Sequence, residues 1–328
     1  MGRSISFVQP RGGVGKTTAV VQLAASLAAL NPSTKVVVID ASIHGDATTM
    51  LLGGFSEPLG EDFYTKGGET SAKFPDSKLQ ALFETLKKSR EMKHTLSLLE
   101  KMWRPSGGAE TPTVDIVAMS VNVLKAHPAG NAPPNLFLVT GGELIDQEFN
   151  EPEIAVALRE AMDAAPDVVF LIDTDAEITE RGPTLIVTRA NTEIFLVTSP
   201  NWADFLRCVS DPVNKLRDLK DLTTKILFTK VPKTLNTPTD LEGVPCFGFK
   251  PVKSSMENVA TICAYVRERK LLPPGDSLQD FIRNRVLALP ELPDVALNIS
   301  VDTGEPIAVG GGNAKDFIDF VARRICIE

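Results

Sequence analysis

The stretch Pro10-Arg-Gly-Gly-Val-Gly-Lys-Thr-Thr18 constrains this chain more than any other. Before it, Ser4–Gln9 is short, β-branched and aromatic, and reads as a buried strand. After it, Ala19–Leu30 is Ala-rich and apolar on every side, which predicts a helix packed between other layers. Asn31-Pro32 ends that helix, and Lys35-Val-Val-Val-Ile-Asp40 is a second strand, apolar as in a parallel sheet covered on both faces. Strand, glycine loop, helix and strand make a right-handed βαβ unit. Gly12, Gly13, Val14 and Gly15 let successive backbone N–H groups converge on an anion, and the helix start near Lys16 adds free N–H groups and the positive end of a dipole. In such a loop Lys16 supplies charge to the β- and γ-phosphates, the Thr17 hydroxyl is placed to ligate Mg²⁺, and Thr18 can bond the α-phosphate. A glycine turn that merely happens to carry a lysine is the bland alternative, and the flanking strand and helix weigh against it.

The same alternation continues along the chain. Strands are expected at Leu136–Val139, Val168–Asp173, Ile194–Thr198 and Lys225–Thr229. Helices are expected at Pro152–Ala165, Gly182–Ala190, Trp202–Leu216, Ser255–Arg269 and Asn313–Ile325. This pattern predicts an α/β fold, a doubly wound and mostly parallel sheet with helices on both faces, as one domain over 1–328. Residues 54–135 read as an enlarged insertion. It holds a helical stretch at Lys78–Trp103 and a short strand or helix near Val114–Leu124.

Composition excludes several classes. At 43% hydrophobic and 23% charged the chain has material for a core. No apolar run approaches the ~18 residues of a membrane span. A net charge of −8 argues against broad binding to nucleic acid or anionic lipid. Cys208, Cys246, Cys263 and Cys326 form no Cys-x-x-Cys pair, and His44, His94 and His127 have no metal spacing. Free thiols and the lack of a signal peptide suggest a reducing, cytoplasmic setting.

The ordinary phosphate-loop pattern would place a glycine at position 10, where Pro10 stands. Arg11-Gly-Gly-Val-Gly-Lys-Thr-Thr18 instead resembles the deviant Walker A loop of the ParA/MinD family of P-loop ATPases, usually K-G-G-x-G-K-T-T. Val36–Gly53 resembles that family's switch I segment, typically I-D-x-D-P-Q-G-N-x-T followed by L-L-G, and Asp167–Thr174 resembles its Walker B strand. Asn135–Val139 and Cys246–Pro251 fall where the family has further core strands. The likeness spans most of the chain except roughly 54–135.

The resemblance implies ATP or ADP with Mg²⁺ as cofactors and an ATP-dependent homodimer. In it Arg11 takes the place of the lysine that reaches the partner's phosphates, while Asp40 and Asp173 with Thr17 surround the metal. An arginine is always charged and forked, so Arg11 can serve in trans, though it differs from lysine in length and geometry. A solvated loop residue is the alternative. Ser42 stands where the family's second switch I Asp orients the attacking water, and a hydroxyl cannot polarise water as a carboxylate does. Ile43 and His44 replace Pro and Gln, and Asp175 replaces the Pro after the Walker B strand. The expectation is tight Mg-ATP binding with slow hydrolysis by Lys16, Arg11, Asp40 and Asp173.

Three functions follow: a switch for positioning or partitioning, a nucleotide-bound scaffold that recruits a protein partner with little turnover, or a small-molecule kinase or transporter. The basic run Lys78–Arg104 offers weak support for DNA, since a solvated helix face explains it as well. The apolar C-terminal segment Ala314–Ile327 is expected to pack on the core rather than on a membrane, and Met1–Ser6 matches a myristoylation pattern by coincidence.

Overall fold

The computed structural model describes residues 3–9, 13–42, 45–51, 114–123, 132–141, 151–175, 190, 193–210, 223–232, 251–268, 277–291 and 313–327. Eight strands form one sheet: β1 (Arg3–Val8), β2 (Lys35–Ala41), β3 (Val121–Asn122), β4 (Leu136–Val139), β5 (Val168–Thr174), β6 (Glu193–Thr198), β7 (Thr223–Val231) and β8 (Val286–Pro290). Their order is β3-β4-β2-β5-β1-β6-β7-β8. Every pairing is parallel except that of β3 with β4, so one short antiparallel strand closes an edge. The described helices are α1 (Lys16–Leu30), α2 (Asp46–Leu51), α3 (Ile116–Met119), α4 (Glu151–Asp163), α5 (Trp202–Ser210), α6 (Lys253–Glu268), α7 (Leu278–Arg285) and α8 (Asn313–Ile327).

Alternation along each strand sorts the core to two faces. Ile5, Phe7, Val36, Val38, Leu171, Phe195 and Val197 meet α1, α2 and α8 on one side. The other side holds two clusters, Val37, Ile39, Phe170 and Ile172 against α3 and α4, and Ile194, Leu196, Ile226 and Phe228 against α5, α6 and α7. Helix α1 is buried almost all round because α8 covers the side that the sheet leaves open. In α8, Phe317, Ile318, Val321, Ala322 and Ile325 are buried, and Asp319 accepts from Ser26 of α1 at 2.5 Å. The C-terminal segment therefore packs as a core helix.

At the amino-terminal edge of the sheet Glu193 is buried between two cations. Arg3 donates to its Oε2 through Nη2 at 2.8 Å and Nε at 3.2 Å. Lys225 Nζ lies 3.0 Å from Oε1, close enough for an ion pair but outside hydrogen-bond geometry.

The doubly wound, mostly parallel sheet is as the sequence predicts. Helix α7 and strand β8 were not foreseen: Leu278–Arg285 is a short polar helix capped by Ser277, and it runs directly into the five-residue strand Val286–Pro290. The end of the stretch read as an insertion reaches the core, with Val123 and Ala132 buried on the α1 side and Ile116 on the α4 side. The Lys78–Trp103 helix lies outside the described residues, as do Gly182–Ala190 except for Ala190, residues 211–216, and Cys246–Pro251 except for Pro251.

Candidate phosphate-binding site

The loop between β1 and α1 opens at the carboxy-terminal edge of the sheet, where a doubly wound fold places its ligands. Gly13 and Gly15 have φ of 83° and 86°, a left-handed backbone natural only to glycine. Gly15 is the N-cap of α1, makes no side-chain cap bond, and is followed by no acidic residue in the first turn. Among the described residues no side chain caps the start of this 15-residue helix, the arrangement of a helix end that takes an external acceptor.

Below the loop, strand register brings two carboxylates together. Asp40 of β2 is the Cα partner of Asp173 of β5, two residues past the α1-facing pair Val38 and Leu171 and so on the same face of the sheet. Both aspartates are fully buried. The Lys16 ammonium donates to Asp173 Oδ1 at 2.5 Å and to the Thr174 carbonyl. The side chain is nearly buried, so the first residue of α1 is tied to the end of β5.

Asp40 accepts from four donors: Ser42 N–H at 3.1 Å and its hydroxyl at 2.7 Å on Oδ1, and Thr48 N–H at 2.8 Å and its hydroxyl at 2.7 Å on Oδ2. Burial and the neighbouring Asp173 nevertheless push its carboxyl up to about 6, with the Ser42 and Thr48 bonds opposing. Gly141 closes the pocket. Its N–H donates to the Thr48 hydroxyl at 2.9 Å, and a Cβ there would fall 2.4 Å from the Asp40 carbonyl oxygen.

Ser42 is equally committed. Its hydroxyl gives its proton to Asp40 and accepts from Gly45 N–H at 3.1 Å and Asp46 N–H at 3.3 Å. It holds the turn into α2 and is almost fully buried.

Asp173 Oδ2 is buried and finds no hydrogen-bond partner among the described residues. An orphaned carboxylate oxygen beside a second carboxylate fits a divalent cation that also takes phosphate oxygens and water, and the half-buried Thr17 follows Lys16 at the helix start. Thr18 is half-buried in the same turn, Val14 is buried in the loop, and Asp175 is half-buried just past β5. Arg11, Gly12, Ile43 and His44 lie outside the described residues.

Sequence reasoning missed Thr48, Gly141, Thr174, Thr229 and Lys230 as parts of the site. Thr48 and Thr174 had a signal, since they stand at the threonines of the switch I and Walker B patterns. The others act through backbone groups or across the fold, which no local pattern records.

Residues 2–92 match the family model described as an AAA domain, a span that contains the phosphate loop and Asp40 but stops before Asp173. No curated protein matches. A plasmid partition protein from Borrelia burgdorferi B31, solved bound to AMPPNP, superposes with a TM-score of 0.56 at 13% identity over 99% of both chains. MinD in the MinC:MinD cell division complex of Aquifex aeolicus gives 0.53 at 15% identity over 99% of this chain and 96% of that one. The McdA protein of Cyanothece in its apo form gives 0.53 at 15% identity over 98% of this chain and 99% of that one. The fold is that of ParA/MinD-type P-loop ATPases.

Proposed function

We propose that this chain binds Mg-ATP and works as an ATP-dependent dimerising switch of the partitioning or positioning kind, with slow hydrolysis. The observation that carries the reading is Lys16, held at the start of an uncapped helix under left-handed Gly13 and Gly15, beside two carboxylates of which one keeps an open oxygen. Backbone N–H groups of Gly13–Thr18 would cradle the phosphates. Lys16 would leave Asp173 for the β- and γ-phosphates, and Asp173 with Thr17 would hold Mg²⁺, supported by Asp40. The metal's chemistry is to neutralise charge on the phosphates. Arg11 would reach the partner's nucleotide.

Ser42 supports slow turnover. Its hydroxyl donates to Asp40 and its oxygen accepts two backbone N–H groups, so nothing of it is poised to orient a water. That same commitment favours a second reading, an ATP-loaded scaffold that recruits a protein partner and seldom hydrolyses. The neighbour MinD was solved with its protein partner MinC, which fits either reading. The burial of α8 against α1 gives no support to a membrane helix.

Size-exclusion chromatography with light scattering, run in ADP and in AMPPNP, tests the switch: the mass should double only with AMPPNP, and a single mass in both would refute it. Ser42→Asp tests the hydrolysis claim. Restoring a carboxylate at this position should raise single-turnover cleavage on the order of a hundredfold. Fast cleavage by the wild type would overturn it. Phosphate release measured with and without DNA, lipid vesicles or a protein partner separates switch from scaffold.

A further inference from the structure

We propose that Lys230, at the end of β7, is a positioning residue for nucleotide binding, which it serves by holding the phosphate loop from behind. The inference rests on the nucleotide reading of that loop. Lys230 has φ of 54°, the positive-φ non-glycine position among the described residues. A residue with a Cβ is held in that conformation only where its surroundings over-determine it. The pairing of β7 with β8 also breaks register between Phe228 and Val231, as at bulges that re-aim a side chain.

What the irregularity achieves is visible at the loop. Lys230 Nζ donates to the Gly13 carbonyl at 2.6 Å. Its Cε lies 3.7 Å from where a Gly15 Cβ would stand, so the stem runs along the loop. The preceding Thr229 gives its hydroxyl to the Val14 carbonyl at 2.6 Å. Two consecutive residues of one strand thus hold two consecutive carbonyls. In a planar trans peptide the C=O and the following N–H point in opposite directions. Anchoring the Gly13 and Val14 carbonyls outward therefore turns the Val14 and Gly15 N–H groups inward, to the side where an anion sits. Lys230 is exposed, so burial does not hold its side chain there. An unrestrained lysine would spread over many rotamers.

The test uses the full chain with Lys230→Met, Lys230→Gly and Lys230→Arg. Mg-ATP affinity is measured by calorimetry and thermal melting without nucleotide. Met keeps the stem but loses the donor, Gly also relieves the backbone, and Arg keeps a donor. Met and Gly should weaken Mg-ATP binding about fivefold to tenfold with melting within about 2 °C of wild type, and Arg should bind within about twofold. Met or Gly binding as tightly as wild type would overturn the proposal, as would lowered melting with affinity unchanged. No heat from the wild type with Mg-ATP would instead overturn the nucleotide reading, and the proposal with it.

Discussion

At the amino-terminal edge of the sheet one buried carboxylate, Glu193, lies between two cations, Arg3 and Lys225; at the opposite edge two buried carboxylates, Asp40 and Asp173, lie side by side and the Lys16 ammonium goes to Asp173. Different strands of one sheet carry them, β1, β6 and β7 the first and β2 and β5 the second. Around Glu193 each carboxylate oxygen faces a cation, Oε2 through the hydrogen bonds from Arg3 and Oε1 through the Lys225 ion pair. Around Asp173 an oxygen remains without a donor among the described residues, and Asp40 is driven towards its protonated form. A buried acidic pair left incomplete asks for a cation, and a helix start left uncapped asks for an anion. The proposed Mg²⁺ with a triphosphate would answer both, so charge left uncompensated separates the proposed binding edge from the structural one.

The comparison breaks first at Lys16. Lys16→Ala should lower Mg-ATP affinity on the order of a hundredfold or more, read by calorimetry, because charge-assisted bonds to phosphate are lost. Retained binding would place the ligand elsewhere. Glu193→Gln should do the reverse. It removes the buried negative charge that Arg3 and Lys225 face, should cost about 4 kcal/mol in denaturant unfolding, and should leave Mg-ATP affinity unchanged because the cluster sits at the far edge. A fall in affinity without loss of stability would erase the distinction between the edges.

Asp40 sharpens the contrast through pH. Its carboxyl rises from 3.8 to about 6 on folding, so between those values the native protein holds the proton that the unfolded chain has released. Asp40 therefore stabilises the nucleotide-free protein below about pH 4, and that contribution is lost as pH climbs through 6. Relative to Asp40→Asn, which does not titrate, the wild type should lose about 3 kcal/mol between pH 4 and pH 7. A difference that stays flat across this range would mean that Asp40 is not desolvated.

The parts of the site readable in the sequence are those in which neighbouring residues do the work. Gly13, Gly15, Lys16 and Thr17 act as one loop and one helix start, and the strands ending in Asp40 and Asp173 announce themselves by unbroken apolar runs. Ser42 was legible as a missing carboxylate, but its bonds to Gly45 and Asp46 were not. Helix α7 and strand β8 escaped notice because short elements gain their stability from the sheet edge they join rather than from their own pattern.

By itself the sequence determined the βαβ unit, the doubly wound class and the phosphate loop, because backbone preference and apolar periodicity are local. Only the tertiary structure decided that Asp40 stands in register with Asp173, that Gly141 yields its Cβ space to Asp40, and that Thr229 and Lys230 brace a loop more than two hundred residues away in the chain. Each of these depends on sheet order and register, which are set when strands distant in the chain bury their faces together.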